Sequence, residues 1–330
     1  MVLRATPAFG GTFPQPVKQK ILSHLHTSTV WSSYSPAFQQ RTSDWHSWIT
    51  FDQPETERRG SMKVSRLFAS VALVAAFSAT LFAQQPPSGY HSVACIKVKR
   101  ENNTEFRKWI AEDGRKYAQS RVDAGAYSSW MILRSVIPAG ESAECDYVVV
   151  TMYPGIPPAP MGLEELDAAL KKAGMTVSAQ QYVDRRNSLT TLISNDMFQN
   201  QGYVGTFKKG DYFVVNYMKV SDDNLDDYFA WETKVWKPLA EAMAKDGVRT
   251  SWSLNRRILP GGSDQAYQAV TVDVFPTWES IYKDDTQFVE RWHKVHPDME
   301  LGTTFEKYEK LRSLAKSQLY VVQDLIQSTK

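Results

Sequence analysis

The chain has 330 residues, 38 Lys and Arg against 36 Asp and Glu, 42% hydrophobic residues and two cysteines. That composition excludes a disordered polymer, a disulfide-rich miniprotein and a collagen-like fibre. No apolar run is long enough to suggest a multi-spanning membrane protein.

Residues 62–83 carry the strongest local signal. A basic start, Met62-Lys63-Val64-Ser65-Arg66, leads into the apolar stretch from Leu67 to Phe77 and a small-residue end at Ala83, the layout of a secretory signal peptide. Ser70, Ser78 and Thr80 interrupt a run already short of the roughly 20 apolar residues that span a bilayer, so no stable anchor is expected after cleavage, placed behind Ala83. Residues 1–61 show no sustained helical or strand period and are expected to be a disordered extension created by a start codon placed too early. The other reading is a genuine extension that docks through Trp31, Trp45 and Trp48. Without residues 1–83 the chain keeps thirty basic and thirty-two acidic side chains, a net charge near −2. The basic character of the whole chain therefore offers no support for a nucleic-acid surface. A secreted or periplasmic protein is expected.

Beyond residue 84 the sequence repeats itself. At an offset of 122, residues 90–154 align with 212–276 without a gap, matching Trp109/Trp231, Gly125/Gly247, Trp130/Trp252, Arg134/Arg256 and Pro138/Pro260 among others. Two units are expected, 84–205 and 206–330. In the first, period-2 and helical patterns predict a strand at 91–99, a helix at 104–124, a hairpin of 126–137 with 145–153, helices at 163–172 and near 179–187, and a strand at 189–198. In the second they predict a strand at 212–220, a helix capped by Ser221-Asp222-Asp223, kinked at Pro238 and ended by Gly247, and a hairpin of 250–259 with 266–275. Helices from 277, at 286–296 and at 305–315 follow, then a strand at 318–326. Each unit reads β-α-β-β-α-β, so the expected fold is α+β: two tandem ferredoxin-like repeats whose bare sheet faces pack together as a pseudo-dimer.

Three features carry a family resemblance: the strand, long helix and hairpin plan; the W-x-x-x-x-W-x-P-L-A-E-A run from Trp231 to Ala242; and the G-x-x-x-S-W entry from Gly247 to Trp252. The sequence resembles the dimeric α/β-barrel superfamily, and within it the secreted relatives of NIPSNAP and antibiotic-biosynthesis-monooxygenase domains. The resemblance implies a small-molecule-binding barrel, with cofactor-free monooxygenase-like or haem-handling activity among the roles its members fill. Its motifs are structural, so no catalytic residue is carried over.

Strand alternation offers candidates for an interior between the sheets. Taking Val270, Val272 and Val274 as the helix-facing side points Thr271, Asp273 and Phe275 inward. Val215, Tyr217 and Lys219 of the first strand, and Ser251, Ser253, Asn255 and Arg257 of the second, join them. The corresponding face of the first unit is more apolar: Cys95, Lys97, Ser129, Met131, Leu133, Tyr147, Val149 and Thr151. A reversed choice would instead line the interior with Trp252, Arg256, Trp130 and Arg134. Tyr217, Lys219, Asn255, Arg257 and Asp273 are thus the candidate ligand-binding residues for a small apolar or aromatic molecule. Lys219, Asp273 and Tyr217 are the candidate catalytic group, in proton transfer or anion binding. The competing reading makes Lys219 and Asp273 a structural cross-strand ion pair.

No cofactor is predicted from a motif. Glu290, His293 and His296 recur at helical spacing and are candidate metal or haem ligands, against a solvated helix face as the plainer reading. Cys95 and Cys145 fall on neighbouring strands, where export permits a disulfide, and two buried inert thiols are the alternative. A non-enzymatic interaction or assembly module is the rival to a ligand-binding barrel, and the chain is expected to be a monomeric pseudo-dimer or a homodimer.

Overall fold

The computed structural model describes residues 89–283 and 285–328; the leader read at 62–83 and the extension before it lie outside these residues. Among the described residues, eight strands close into a single antiparallel barrel in the order β1-β3-β2-β8-β5-β7-β6-β4. The strands are β1 (Tyr90–Val98), β2 (Ser129–Ile137), β3 (Tyr147–Met152), β4 (Thr190–Gly205), β5 (Tyr212–Lys219), β6 (Ser251–Leu259), β7 (Ala269–Phe275) and β8 (Ser313–Gln327).

This closure corrects the expected fold of two tandem ferredoxin-like repeats. That expectation laid two separate sheets face to face, whereas the hydrogen-bonded ladder here never stops at the boundary between the halves. The reason lies in β4 and β8, which are long enough to serve two neighbours each. The first part of β4, through Gln199, pairs with β1, and the part from Met197 onward pairs with β6 of the other half. Likewise β8 pairs with β5 up to Val321 and with β2 from Leu319. A closed ladder leaves no strand edge open to water or to another chain.

Helices cover the outside. In the first half α1 (Asn103–Trp109) continues through a π turn, Ile110–Gly114, into α2 (Arg115–Asp123), followed by α3 (Leu163–Lys172) and α4 (Ala179–Leu189). In the second, α5 (Leu225–Trp231) passes through a π turn, Glu232–Trp236, into α6 (Lys237–Lys245), with α7 (Trp278–Tyr282), α8 (Phe288–Val295) and α9 (Leu301–Leu311) behind it. The two π turns stand 122 residues apart, but Pro238 follows only the second, with Lys116 at the equivalent place in the first. The widened turn therefore does not depend on the proline, which sits in the first turn of α6, where a missing N–H is tolerated. Helix α9 begins four residues before its predicted start because the Glu300 carboxylate accepts from the backbone N–H groups of Gly302 (2.9 Å) and Thr303 (2.6 Å).

The core has three main parts. Phe106, Trp130, Ile132 and Leu189 bury the outer face of the barrel under the helices of the first half. Tyr228, Leu239, Trp252, Leu254 and Trp292 do so in the second, each essentially without exposure. The inward-facing side chains form the third, around Met131, Leu133, Phe198, Phe213 and Tyr320.

Candidate functional site

The barrel interior is not filled. A cavity of about 690 Å³ runs inside it, lined chiefly by Val93, Met131, Leu133, Val148, Val150, Phe198, Phe213, Val215, Val270, Val272 and Val274. Its size lies within the roughly 300–1,000 Å³ typical of small-molecule sites.

Register decides which side chains line this space, because residues directly opposite on neighbouring strands share a face. On β7, Val272 stands opposite Val215 of β5 and Ser253 of β6, and Val270 stands opposite Tyr217 and Asn255. With Tyr217 and Asn255 inward, the valines must be inward too. This corrects the expected orientation of β7: Thr271 and Asp273 face out toward the helices. The same correction applies to β3, where Val148 lies opposite Cys95 and Leu133, so Val148 and Val150 line the cavity. Tyr147 packs outward on Phe106, ring centroids 4.9 Å apart.

Of the five residues named from the sequence as ligand-binding, Tyr217, Asn255 and Arg257 line the cavity. Lys219 and Asp273 do not, and the two are not paired. Lys219 is exposed at the end of β5. Asp273 is part-buried on the helix side of the barrel, where it pairs with Arg249 and accepts from Asn216 Nδ2 at 3.1 Å. The proposed group of Lys219, Asp273 and Tyr217 is therefore not assembled. Lys97, the counterpart of Lys219, pairs with Asp146 at 3.4 Å.

A different polar group converges at the end of the barrel where β5 and β6 finish. Arg257 Nη2 donates to Asp196 Oδ1 at 3.0 Å, and the Tyr267 hydroxyl donates to Asp196 Oδ2 at 2.8 Å. The Arg257 guanidinium lies over the Tyr267 ring, 4.4 Å from its centroid, and Tyr217 meets Tyr267 edge-on at 4.7 Å. Both charged side chains are 9% exposed, and Arg257 Nε is buried without a partner. Nearer solvent, Lys316 pairs with Glu144 and stands over the Tyr217 ring at 4.6 Å. Burial pushes the phenols of Tyr217 and Tyr267 well above their ordinary range and that of Tyr320 up to about 12, so all three stay protonated at neutral pH.

A polar belt continues along β4 and β6. Asn255 Nδ2 donates to the Val270 carbonyl at 3.3 Å, which fixes its amide so that Oδ1 accepts from Asn200 Nδ2 at 3.2 Å. Elsewhere on the lining His91 stacks on Phe198, centroids 5.4 Å apart, and burial lowers its pKa to about 4, leaving the ring neutral.

Asp196, Tyr267 and Tyr320 escaped the sequence reading. Asp196 alternates with Phe198 and Asn200 on a strand that was recognised, and a carboxylate on such a face was the available signal. Tyr267 precedes β7 and no alternation rule assigned its face.

The helix carrying Glu290, His293 and His296 does not gather them. Glu290 and His293 are exposed, whereas His296 is buried with Nε2 2.8 Å from the Val235 carbonyl in the π turn. A carbonyl only accepts, so Nε2 carries the proton and is not available as a ligand atom. No group of three or more His, Cys, Asp or Glu residues suited to a metal occurs among the described residues. These residues do not fit a metal or haem site. The two cysteines are joined: Cys95 and Cys145 form a disulfide with Cα atoms 5.2 Å apart, on the cavity wall.

No family model and no curated protein matches the sequence. Several solved structures follow a similar chain path at low similarity. A candidate monooxygenase from Lactobacillus acidophilus NCFM shares 10% identity, with a TM-score of 0.46 over 73% of this chain and 97% of its own. An anthrone oxidase-like protein shares 11%, with a TM-score of 0.42 over 74% and 95%. A variant chlorite dismutase from Candidatus Nitrospira defluvii shares 8%, with a TM-score of 0.41 over 73% and 93%.

Proposed function

We propose that this chain is an exported protein that binds a small molecule inside its barrel. The observation that supports binding is the cavity itself: about 690 Å³ of open interior walled by valine, leucine, methionine and phenylalanine, with a hydrogen-bonded polar group at one end. Packed cores leave few voids larger than a water molecule, so a barrel that merely held two halves together would fill this space with side chains. Asp196 accepts from Arg257 and from Tyr267, one on each oxygen, which suits a fixed polar wall better than a base waiting for a substrate proton. The recurrence of strands and π turns at 122 residues supports a duplicated ancestor for the barrel. Export is supported by the Cys95–Cys145 disulfide, which persists in oxidising compartments.

The test is a lumen-filling substitution. Val272 faces the open space, so Val272→Trp grows into the cavity rather than into packed neighbours. Calorimetry with 2-naphthol should show one site on the parent chain and at least a tenfold weaker one on the variant, with circular dichroism and Tm little changed. Equal binding by both chains would place the site elsewhere and defeat the proposal.

A further inference from the structure

Resting on that reading, we infer that the barrel selects uncharged ligands and that the buried Asp196–Arg257 pair sets this preference. The tyrosines apart, the ionisable side chains lining the cavity are His91, Glu144, Asp196, Arg257 and Lys316. Each cation has its own acid: Arg257 holds Asp196, and Lys316 holds Glu144. The phenols of Tyr217, Tyr267 and Tyr320 are protonated and the His91 imidazole is neutral, so the two ion pairs leave the lining without net charge. An ion entering this space leaves its hydration shell, which costs far more than moving a neutral polar group, and it finds no unpaired countercharge to offset the loss.

The two pairs differ in how much they govern. Lys316 and Glu144 are 35% and 48% exposed, so water screens them. Arg257 and Asp196 are both 9% exposed, and the guanidinium is further held by the Tyr267 ring and the Tyr267–Asp196 hydrogen bond. Within this apolar enclosure, neutralising one member of that pair exposes the full charge of the other to the ligand. The ligand class that fits is a neutral, largely apolar molecule with hydrogen-bonding groups. Ionised carboxylates such as fatty acids, and organic ammonium ions, are rejected.

Three probes of one shape test this: neutral 2-naphthol, anionic 2-naphthalenesulfonate and cationic 2-naphthylmethylammonium, titrated against the full chain at pH 7. The parent should bind 2-naphthol at least tenfold more tightly than either ion. Asp196→Asn should then gain at least tenfold for the sulfonate and little for 2-naphthol, because Arg257 is left without its countercharge. The double variant Asp196→Asn, Arg257→Met should return to the neutral preference. An ion bound by the parent as tightly as 2-naphthol overturns the inference, as does a folded Asp196→Asn chain with unchanged selectivity. Should Asp196→Asn fail to fold, the parent's ranking of the three probes decides alone. Absence of binding by all three overturns the lumen-binding reading beneath it, a result distinct from binding without charge preference.

Discussion

Replacing Cys95 and Cys145 together by serine should lower the unfolding free energy by about 4 kcal/mol. The bridge closes a segment with a sequence separation of 50, and in the chain-entropy model the cost of closing such a loop in the unfolded ensemble is about this size. Native contacts around it should largely survive, since Asp146 remains tied to Val98 N at 2.8 Å and to Lys97. Denaturant titration measures the effect directly. The oxidised parent should unfold at a clearly higher midpoint than the double variant, and reductant should bring the parent down to it while leaving the variant unmoved. Coincident midpoints for oxidised parent and double variant would show that the bridge contributes nothing.

What the sequence disclosed about the fold was its local periods. Strand and helix positions, including the hairpins at Pro138 and Pro260, follow from alternation and turn residues within each half. Closure was hidden because it depends on how far β4 and β8 extend, and both run several residues beyond the patterns that reveal them: β4 through Asn200-Gln201-Gly202, β8 back to Ser313. The added stretch of β4 becomes strand by pairing with β6 of the other half, whereas the added stretch of β8 pairs with β5 of its own half and leaves the rest of that strand to reach β2. The interior was half legible for a related reason. Apolar alternation marks a face without saying whether helices or an empty lumen lie against it, and in a barrel with an apolar cavity both sides of β7 are candidates. Register would have settled the matter, since Tyr217 and Val270 face each other across two strands, but register is a property of the paired structure. The Asp196–Arg257–Tyr267 group joins β4, β6 and the approach to β7, so no single stretch of sequence displays it.

Glu232 carries the second large prediction. It occupies the place in the second π turn that Ile110 holds in the first, so a carboxylate stands where the repeat otherwise has an aliphatic side chain. It is 2% exposed, and the hydroxyl of Tyr308 donates to its Oε1 at 2.7 Å. Burial raises its pKa to about 7, and the Tyr308 hydrogen bond offsets only part of that rise. In the unfolded chain the group titrates near 4.5. Between these two values the folded chain holds a proton that the unfolded chain has released, so stability falls as pH rises from about 4.5 to about 7 and then levels off. The shift amounts to about 3 kcal/mol lost from the folded state above neutrality. Glu232→Gln keeps an acceptor for Tyr308 and removes the ionisation. Unfolding titrations at pH 5 and pH 8 should therefore give a variant close to the parent at the lower pH and about 2–3 kcal/mol more stable at the higher. A parent–variant difference that does not grow with pH would mean that Glu232 ionises in the fold as freely as it does in water.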